Sequence, residues 1–583
     1  IILLTIKSVK MKKINILVIL MAIVGVLSSC QDFLDRPPYD SIDDPEFWQN
    51  EDHIRTYSYG FYATFFNGYG TSGLIGGSSY GNGDTFNDDI AWNVQGEFTP
   101  IRVPDSDGGW DFGVIRKSNY MLEKISTVPG LTEEAQNHWY GVARFFRGMQ
   151  YSTMVFAYGD VPWFDKRLDP SDREEMYKDR DPRAFVVGKI MEDFQFALDH
   201  VRTGDGELTI NRYVVAAMVS RLMLREGTFL KYHNIDAELA KKCLQMSRDA
   251  SLIVMNNKSF KVSDNYNGLF SSDDLLGNTE VIFYRKYLGG VLTHCVLTYN
   301  NAEAQTGASR ALMESYLTSE GLPVHLNESW QPKTAADFFA NRDPRLTATF
   351  RENFYIRGED CSPFNYSTSG YSMRKFMDDK NATSSDQKYR GQNNETDCPV
   401  LRLSEVLLNY AEARYELGEL TQEDLNNSIN QIRRRKGMTL PDLEMQGDMP
   451  AVNGKTYDDP KRDPSVPSLL WEIRRERRVE LCFEGLRYSD LKRWKKLEYM
   501  CNEFNPDIRY GAYIKYSDYP KANKTEVYID GGAKEGFILC NRGTARKAPT
   551  DKNYVKPVPK NQIQLYKDNG YTLSQTKEWA NEE

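Results

Sequence analysis

Apolar residues recur every three to four positions over long stretches of this chain, a spacing that predicts a mainly helical protein. The strongest stretch is roughly 133–158, where Ala135, Trp139, Val142, Phe145, Phe146, Met149 and Phe156 make one wide apolar stripe. Thr132 stands where an N-cap oxygen is needed, Glu133 and Glu134 face the positive end of the dipole, and Gly159-Asp160-Val161-Pro162 closes the run. Gly141 and Gly148 lie near the stripe and would let a second helix approach closely. Other helices are expected from Asp44 (as N-cap, with Pro45 at the first helical position) through Ile54, Tyr57, Ser58 and Phe61 to Phe65, and from Trp110 to Ile125. Three more open after Asp181-Pro182, Asn211 and Asp236. Amphipathic helices in succession with short joints predict antiparallel pairs, each needing neighbours to bury its stripe.

The pattern lapses twice. Asn67 to Gly109 is rich in Gly, Ser, Asn and Asp and reads as irregular loop; its Tyr69, Tyr80, Phe86, Trp92 and Phe98 argue against disorder. From about 257 to 400 the reading is turns and short runs, with a strand at Glu280–Tyr284 and a turn at Asn341–Arg345 leading into another. Helices resume at Val400, and the first closes at Gly418. Thr421 and Asp424 form an approximate capping box for its partner, whose end carries Arg433 to Lys436 before Gly437. Leu469 to Trp494 reads as one last helix, with Glu472, Glu476, Glu480 and Glu484 every four residues among arginines. Arginines three and four away predict a ladder of ion pairs that lowers the carboxylate pKa values, not a pair of catalytic acids.

The start of the chain changes the compartment. Lys12-Lys13, the apolar run Ile16–Leu27 and Ser28-Ser29-Cys30 make a secretory signal over residues 1–29, with residues 1–10 a mis-called start before Met11. The run is shorter than the roughly 20 residues of a membrane span. Leu27-Ser28-Ser29-Cys30 looks like a bacterial lipobox, so Cys30 is the expected lipidation site, with residues 30–43 as a tether. The acyl chains of a bacterial lipoprotein meet the need of stable anchoring for more than one chain.

Charge and cysteines narrow the partners. Lys and Arg number 73 against 82 Asp and Glu, and loss of Lys7, Lys10, Lys12 and Lys13 with the signal takes the balance from −9 to −13. That sign opposes nucleic acid and anionic membrane surfaces. Cys243, Cys295, Cys361, Cys398, Cys482, Cys501 and Cys540 contain no CxxC pair, and the six histidines no HxxxH, so no metal and no cofactor is expected. Disulfides are permitted in an exported protein, but the odd number leaves at least one thiol unless it pairs between chains. Asp105-Ser106-Asp107-Gly108 resembles the start of a calcium loop, lacks the remaining ligands, and reads as an ordinary turn.

Several segments together resemble the SusD/RagB family. They are Cys30–Asp35 behind the lipobox, Trp110 to Asn119, and Arg144–Tyr151 leading to Tyr158–Pro162. Arg342–Arg345, Leu403–Glu405 to Ala411–Ala413, Glu476–Leu481 with Phe483–Arg487, and Pro557–Pro559 follow in order. The stretch Tyr410–Gly418 is also similar to a tetratricopeptide helix. The resemblance implies a tetratricopeptide-like scaffold of helical pairs, with helical parts at 44–256 and 400–583 and an irregular, loop-rich second lobe at 257–399 holding a few short strands. It implies a noncatalytic glycan-binding lipoprotein of the outer membrane, held there through its lipid alone and probing the cell exterior. Its partners would be an oligosaccharide or polysaccharide and a SusC-like TonB-dependent transporter. The ladder around Glu476–Arg487 is structural in that family.

Sugars offer apolar C–H faces ringed by hydroxyls, so a binder needs aromatic platforms beside short polar side chains. Tyr80, Asp88, Trp92 and Asn93 in the 67–109 loop supply that mixture, and Tyr284, Tyr287 and Trp330 are candidates for the opposite wall. Two alternatives stand beside this reading: a helical glycoside hydrolase using loop carboxylates such as Asp84 and Asp89, and a tetratricopeptide-type scaffold for protein or peptide. The sequence does not name the glycan.

Overall fold

The structure, a computed structural model, describes residues 47–71, 80–81, 85–91, 96–301, 307–359, 367–543 and 545–582. The signal, Cys30, Asp44-Pro45, Asp84, Trp92, Asn93 and Cys361 lie outside the described residues. Helix α1 spans Glu51–Tyr59 and is capped by Asn50, whose side chain accepts from the His53 N–H at 3.1 Å. Then come α2 (Gly113–Ile125), α3 (Glu133–Tyr158), α4 (Arg183–His200), α5 (Arg212–Tyr232) and α6 (Ala237–Met255).

These elements follow from the residues anticipated for them. Thr132 caps α3 by accepting from the Ala135 N–H at 3.1 Å, and Gly159 ends it at φ +77°. Phe145 and Phe146 are fully buried inside α3, each contributing roughly 1.5–3 kcal/mol. Gly148 does let α4 approach: a Cβ there would stand 2.6 Å from the Phe194 ring, and one at Gly141 2.8 Å from Val201. Asn211 and Asp236 cap α5 and α6 as expected. The cap of α4 differs from expectation. Asp181 accepts from the Trp163 N–H instead, and it is Asp160 that takes the Arg183 N–H at 2.7 Å.

Strand β1 (Val281–Arg285) begins the second lobe, followed by α7 (Arg310–Ser315), α8 (Pro344–Thr349), β2 (Phe350–Phe354) and β3 (Tyr371–Met373). The Asn341–Arg345 segment thus enters a short helix, because Pro344 suits its first turn and Asp343 caps it. β4 (Cys398–Arg402) is a strand where helix was expected from Val400; it pairs antiparallel with β1, Tyr284 opposite Pro399. The β1–β4 pair ties the second lobe to α9 (Leu403–Glu416), which continues straight from β4 and packs on α5 and α6. α10 (Gln422–Asn426) carries the Thr421–Asp424 capping box, and α11 (Ile429–Arg433) follows. α12 is Ser468–Glu480 and α13 is Arg487–Arg493; β5 (Tyr510–Lys515) and β6 (Glu535–Leu539) form an antiparallel pair.

The stretch from Leu469 to Trp494 is therefore two helices, split where Phe483 and Gly485 take φ of +62° and +77°. Its glutamates also pair differently from the expected ladder. Glu472 alone meets an arginine one turn away, Arg475 at 3.1 Å. Glu476 is held by Arg345 (2.6 Å) and Arg433 (3.0 Å), and Glu480 by Arg402 and Arg435 (both 2.7 Å) and Arg345 (3.2 Å). Glu280 joins through Arg402 and Arg435, and Glu484 through Arg402 and Lys375. Arg433 and Arg435 thus serve this buried network and are not solvated charges at a helix end.

With Asp343 on Arg345, five cations and five carboxylates from distant parts of the chain neutralise one another. Burial alone would raise Glu480, but Arg435, Arg402 and Arg345 outweigh it and hold its pKa at about 2. Glu476 and Glu484 are lowered for the same reason, whereas burial leaves Glu472 raised despite Arg475.

The molecule has a large helical core and a second core under the irregular lobe. The second core draws Ala512, Ile514 and Ile538 of β5 and β6 into the lobe, so the C-terminal residues complete it. Among the described residues no helix is long and apolar enough to cross a membrane. Cys243, Cys295, Cys398, Cys482, Cys501 and Cys540 are free thiols.

Candidate functional site

Two adjoining chambers open along the seam between α12 and the second lobe. The first encloses about 340 Å³ and the second about 300 Å³; Glu314, His325 and Lys461 line both. α7 supplies Glu314 and Arg310, the loop after it His325 to Lys333, and α12 Trp471, Arg474, Arg475 and Arg478. The segment 499–507 and the β5–β6 pair complete the walls.

Half-buried aromatic rings face both chambers. In the second, Tyr513 and Phe537 meet edge to face at 5.4 Å across the β5–β6 pair, where antiparallel pairing sets them side by side. Trp330 lines the same chamber, 5.8 Å from Phe338, with the Arg342 guanidinium 5.3 Å from its ring centre. In the first, Tyr499 stacks on Phe504 at 5.7 Å and Trp471 meets Tyr499 at 6.4 Å; Phe504 is 54% exposed. Glu328, Gln331 and Lys333 are exposed polar neighbours of these rings. Flat apolar faces beside hydrogen-bonding side chains, in a groove two chambers long, suit a chain of sugars touched at several points.

The buried carboxylates of the cleft are engaged. Asp88 accepts from Arg487 through both oxygens (2.7 and 2.8 Å) and lies 3.2 Å from Arg478; Asp89 accepts from Arg478 at 2.7 Å. Burial would raise Asp88, but the two arginines hold it at about 2, while Asp89 is pushed up by burial against the pull of Arg478. Glu314, against Arg310 and His325, and Asp459, against Arg475, are lowered although burial opposes it. Asp463 is lowered too, by Lys496 and Tyr499.

The structure brings Asp88 and Trp330 to this cleft and places the other described candidates elsewhere. Asp88 is 1% exposed and acts as an anchor for the 85–91 segment, not as a surface contact. Tyr80, Tyr284 and Tyr287 are buried in the second core and offer no exposed platform. Their hydroxyls donate to the Pro399 carbonyl (3.0 Å), Glu207 (2.8 Å) and the Gly70 carbonyl (2.9 Å). Trp92 and Asn93 lie outside the described residues; Ala91, beside them, donates its N–H to the Gly307 carbonyl at 2.8 Å. Asp107, in the calcium-like stretch, forms a turn with the Gly109 N–H and pairs with Lys556 at 3.0 Å. Among the described residues no group of His, Cys, Asp and Glu could hold a metal ion.

Sequence reasoning missed Trp471, Tyr499, Phe504, Tyr513 and Phe537. A signal existed for two of them: Phe504 stands between Glu503 and Asn505-Pro506-Asp507, and Trp471 follows the Asp/Pro-rich stretch 458–467. An aromatic ring amid turn-forming residues, as Phe504 is, has few apolar neighbours in sequence to pack against.

Helical pairs carrying an irregular lobe, with an aromatic and charged cleft at their seam, define a helical binding-protein scaffold. The SusD family model matches residues 296–579, and over that stretch the chain is similar to the SusD/RagB family. A SusD-like protein of Formosa agariphila is 24% identical over 506 residues, covering 84% of this chain and 92% of that one. A SusD-like protein of Bacteroides ovatus is 22% identical, over 85% of this chain and 86% of the relative. Among solved structures, a SusD-like carbohydrate binding protein from Bacteroides fragilis superposes with a TM-score of 0.63 at 19% identity, covering 89% of this chain and 99% of its own. A laminarin binding SusD-like protein gives 0.54 at 16% identity, over 91% and 100%. The shared fold is the SusD-like one.

Proposed function

We propose that this protein is a noncatalytic glycan-binding lipoprotein of the outer membrane. It captures oligosaccharide at the cell surface and passes it to a SusC-like TonB-dependent transporter. The observation that carries the reading is the two-chamber cleft with Trp330, Tyr513, Phe537, Trp471, Tyr499 and Phe504 on its walls. Relatives of the same fold that are carbohydrate binding and laminarin binding support it. The lipobox at Cys30 supports the anchor, which keeps weak contacts useful by holding the binding site near the transporter. Trp92 and Asn93 remain proposed contributors to the site.

A hydrolase of the cleft would need a carboxylic acid that stays protonated near neutral pH. Asp88, Glu314, Asp459 and Asp463 are instead held down by basic neighbours, and Asp89, which burial raises, is tied to Arg478 behind the cleft lining, which favours binding without catalysis. The test is Trp330→Ala with Tyr513→Ala, assayed by affinity electrophoresis on a glycan panel. The double variant should lose at least about fivefold in affinity, since two ring stackings are worth roughly 1–3 kcal/mol together. Unchanged binding to every glycan that the parent protein binds refutes the site, and release of reducing ends by pure protein refutes the noncatalytic reading.

A further inference from the structure

We propose that the cleft selects anionic oligosaccharides, whose sugars carry carboxylate or sulfate groups, with Arg474 meeting the charge in the first chamber and Lys333 in the second. This inference rests on the glycan-binding reading and names the ligand class for the same site.

The chain as a whole is acidic, at −9, yet its cleft is lined by eight Lys and Arg side chains and six Asp and Glu. Most of those charges are spent on one another: Asp88 holds Arg487, Asp459 holds Arg475, and Glu314 holds Arg310. Arg474 is different. It is 6% exposed and makes no hydrogen bond among the described residues; its Nε and Nη2 are sealed from solvent without a hydrogen-bond partner there. The nearest carboxylate oxygen, on Glu416, stands 3.6 Å away, and Glu416 already accepts from Lys231 (2.7 Å) and the Tyr232 hydroxyl (2.6 Å). The guanidinium lies 4.3 Å from the Trp494 ring centre and 4.9 Å from that of Tyr232, so its plane is fixed before any ligand arrives.

Burying a cation with incomplete hydrogen bonding costs free energy. A ligand anion in the chamber offsets that cost, and a neutral sugar does not. With Nε and Nη2 sealed, Arg474 acts on a ligand through its charge, which a carboxylate or sulfate in the chamber would meet and a neutral hydroxyl would not. In the second chamber the exposed Lys333 ammonium lies 4.1 Å from the Tyr513 ring centre and has no carboxylate partner among the described residues. Each chamber thus offers an aromatic face beside a cation with spare capacity, the arrangement that a sugar bearing an anionic group would meet. Both positions are needed for preference along a chain, because one cation alone would discriminate only a single sugar unit.

The experiment is a glycan array of matched oligosaccharides on several backbones, each in neutral, carboxylated and sulfated form, probed with the full chain, Lys333→Gln and Arg474→Met. At least one anionic form should bind about tenfold or more above its neutral match at 50 mM salt, and that margin should shrink at 500 mM. Each variant should reduce the margin about threefold or more. Lys333 is exposed, so its variant reads out even if Arg474→Met proves unstable. Preference among the carboxylated or the sulfated forms identifies which anion the cleft takes. Binding confined to neutral forms, or a margin that neither variant alters, overturns the inference and leaves the glycan reading standing. Absence of binding to every form overturns the glycan reading and this inference together.

Discussion

Asp88→Asn separates a ligand contact from an internal anchor. The substitution keeps the shape of the side chain and removes the charge that meets Arg487 twice and Arg478 once. The carboxyl drops from an ordinary 3.8 to about 2 in the folded state, which corresponds to about 2.5 kcal/mol of stability at neutral pH. Asp89 moderates the loss. Burial raises its pKa and the Asp88 charge raises it further, so removing that charge lets Asp89 ionise more readily and serve Arg478. The net expectation is a loss of about 1.5–2.5 kcal/mol, below the roughly 3–5 of an unrelieved buried pair.

The pH dependence is sharper than the magnitude. A carboxyl whose folded pKa lies below its unfolded one contributes fully above the unfolded value, here 3.8, and loses that contribution as pH falls through about 2. Urea unfolding of both proteins at pH 7, 4 and 2.5 should show the gap narrowing across that interval. A gap that stays constant with pH, or a variant as stable as its parent that has lost glycan affinity, would refute the anchor assignment.

Two more predictions follow from the interior. Glu480→Gln leaves the ten-member network with one surplus buried cation, and should lower urea stability by about 3–5 kcal/mol; a loss below about 1 kcal/mol would contradict the pairing described here. Gly148→Ala places a methyl group 2.6 Å from the Phe194 ring, and thermal unfolding should register about 1–3 kcal/mol of overpacking, with no loss if α3 and α4 were further apart than described.

The helical parts were legible in the sequence because their signals are local. Thr132, Asn211, Asp236 and Thr421 each cap a helix within four residues of themselves, and glycines at 159 and 418 end two of them. What was not legible depends on residues far apart. Asp160 caps α4 in place of Asp181 because the chain folds back between residues 160 and 183. Val400 enters a strand because β1, over a hundred residues earlier, offers a partner, and tertiary pairing outweighs the helical spacing around it. The glutamates of α12 find arginines at 345, 402, 433 and 435, since a buried carboxylate takes whichever donors the fold brings to it.

The same distinction governs the site. The tyrosines at 80, 284 and 287 have the composition of a sugar platform, and only burial shows that their rings are core. Trp330 was named from composition and does line the cleft, but its companions Tyr513 and Phe537 come from a strand pair nearly two hundred residues later. Sequence proximity gathered candidates from two segments, whereas the cleft is assembled from many segments spread between Asp88 and Phe537.

α12 presents Glu476 and Glu480 to the charged interior, and Trp471, Arg474 and Arg478 to the cleft. One helix therefore serves as frame and as receptor, with adjacent residues assigned to different tasks. Rim positions such as Lys333, Gln331 and Phe504 sit on loops outside that frame and can be exchanged without touching it. The architecture thus permits diversification of ligand preference by replacing rim residues, while the anchored helix transmits the same geometry to each new version.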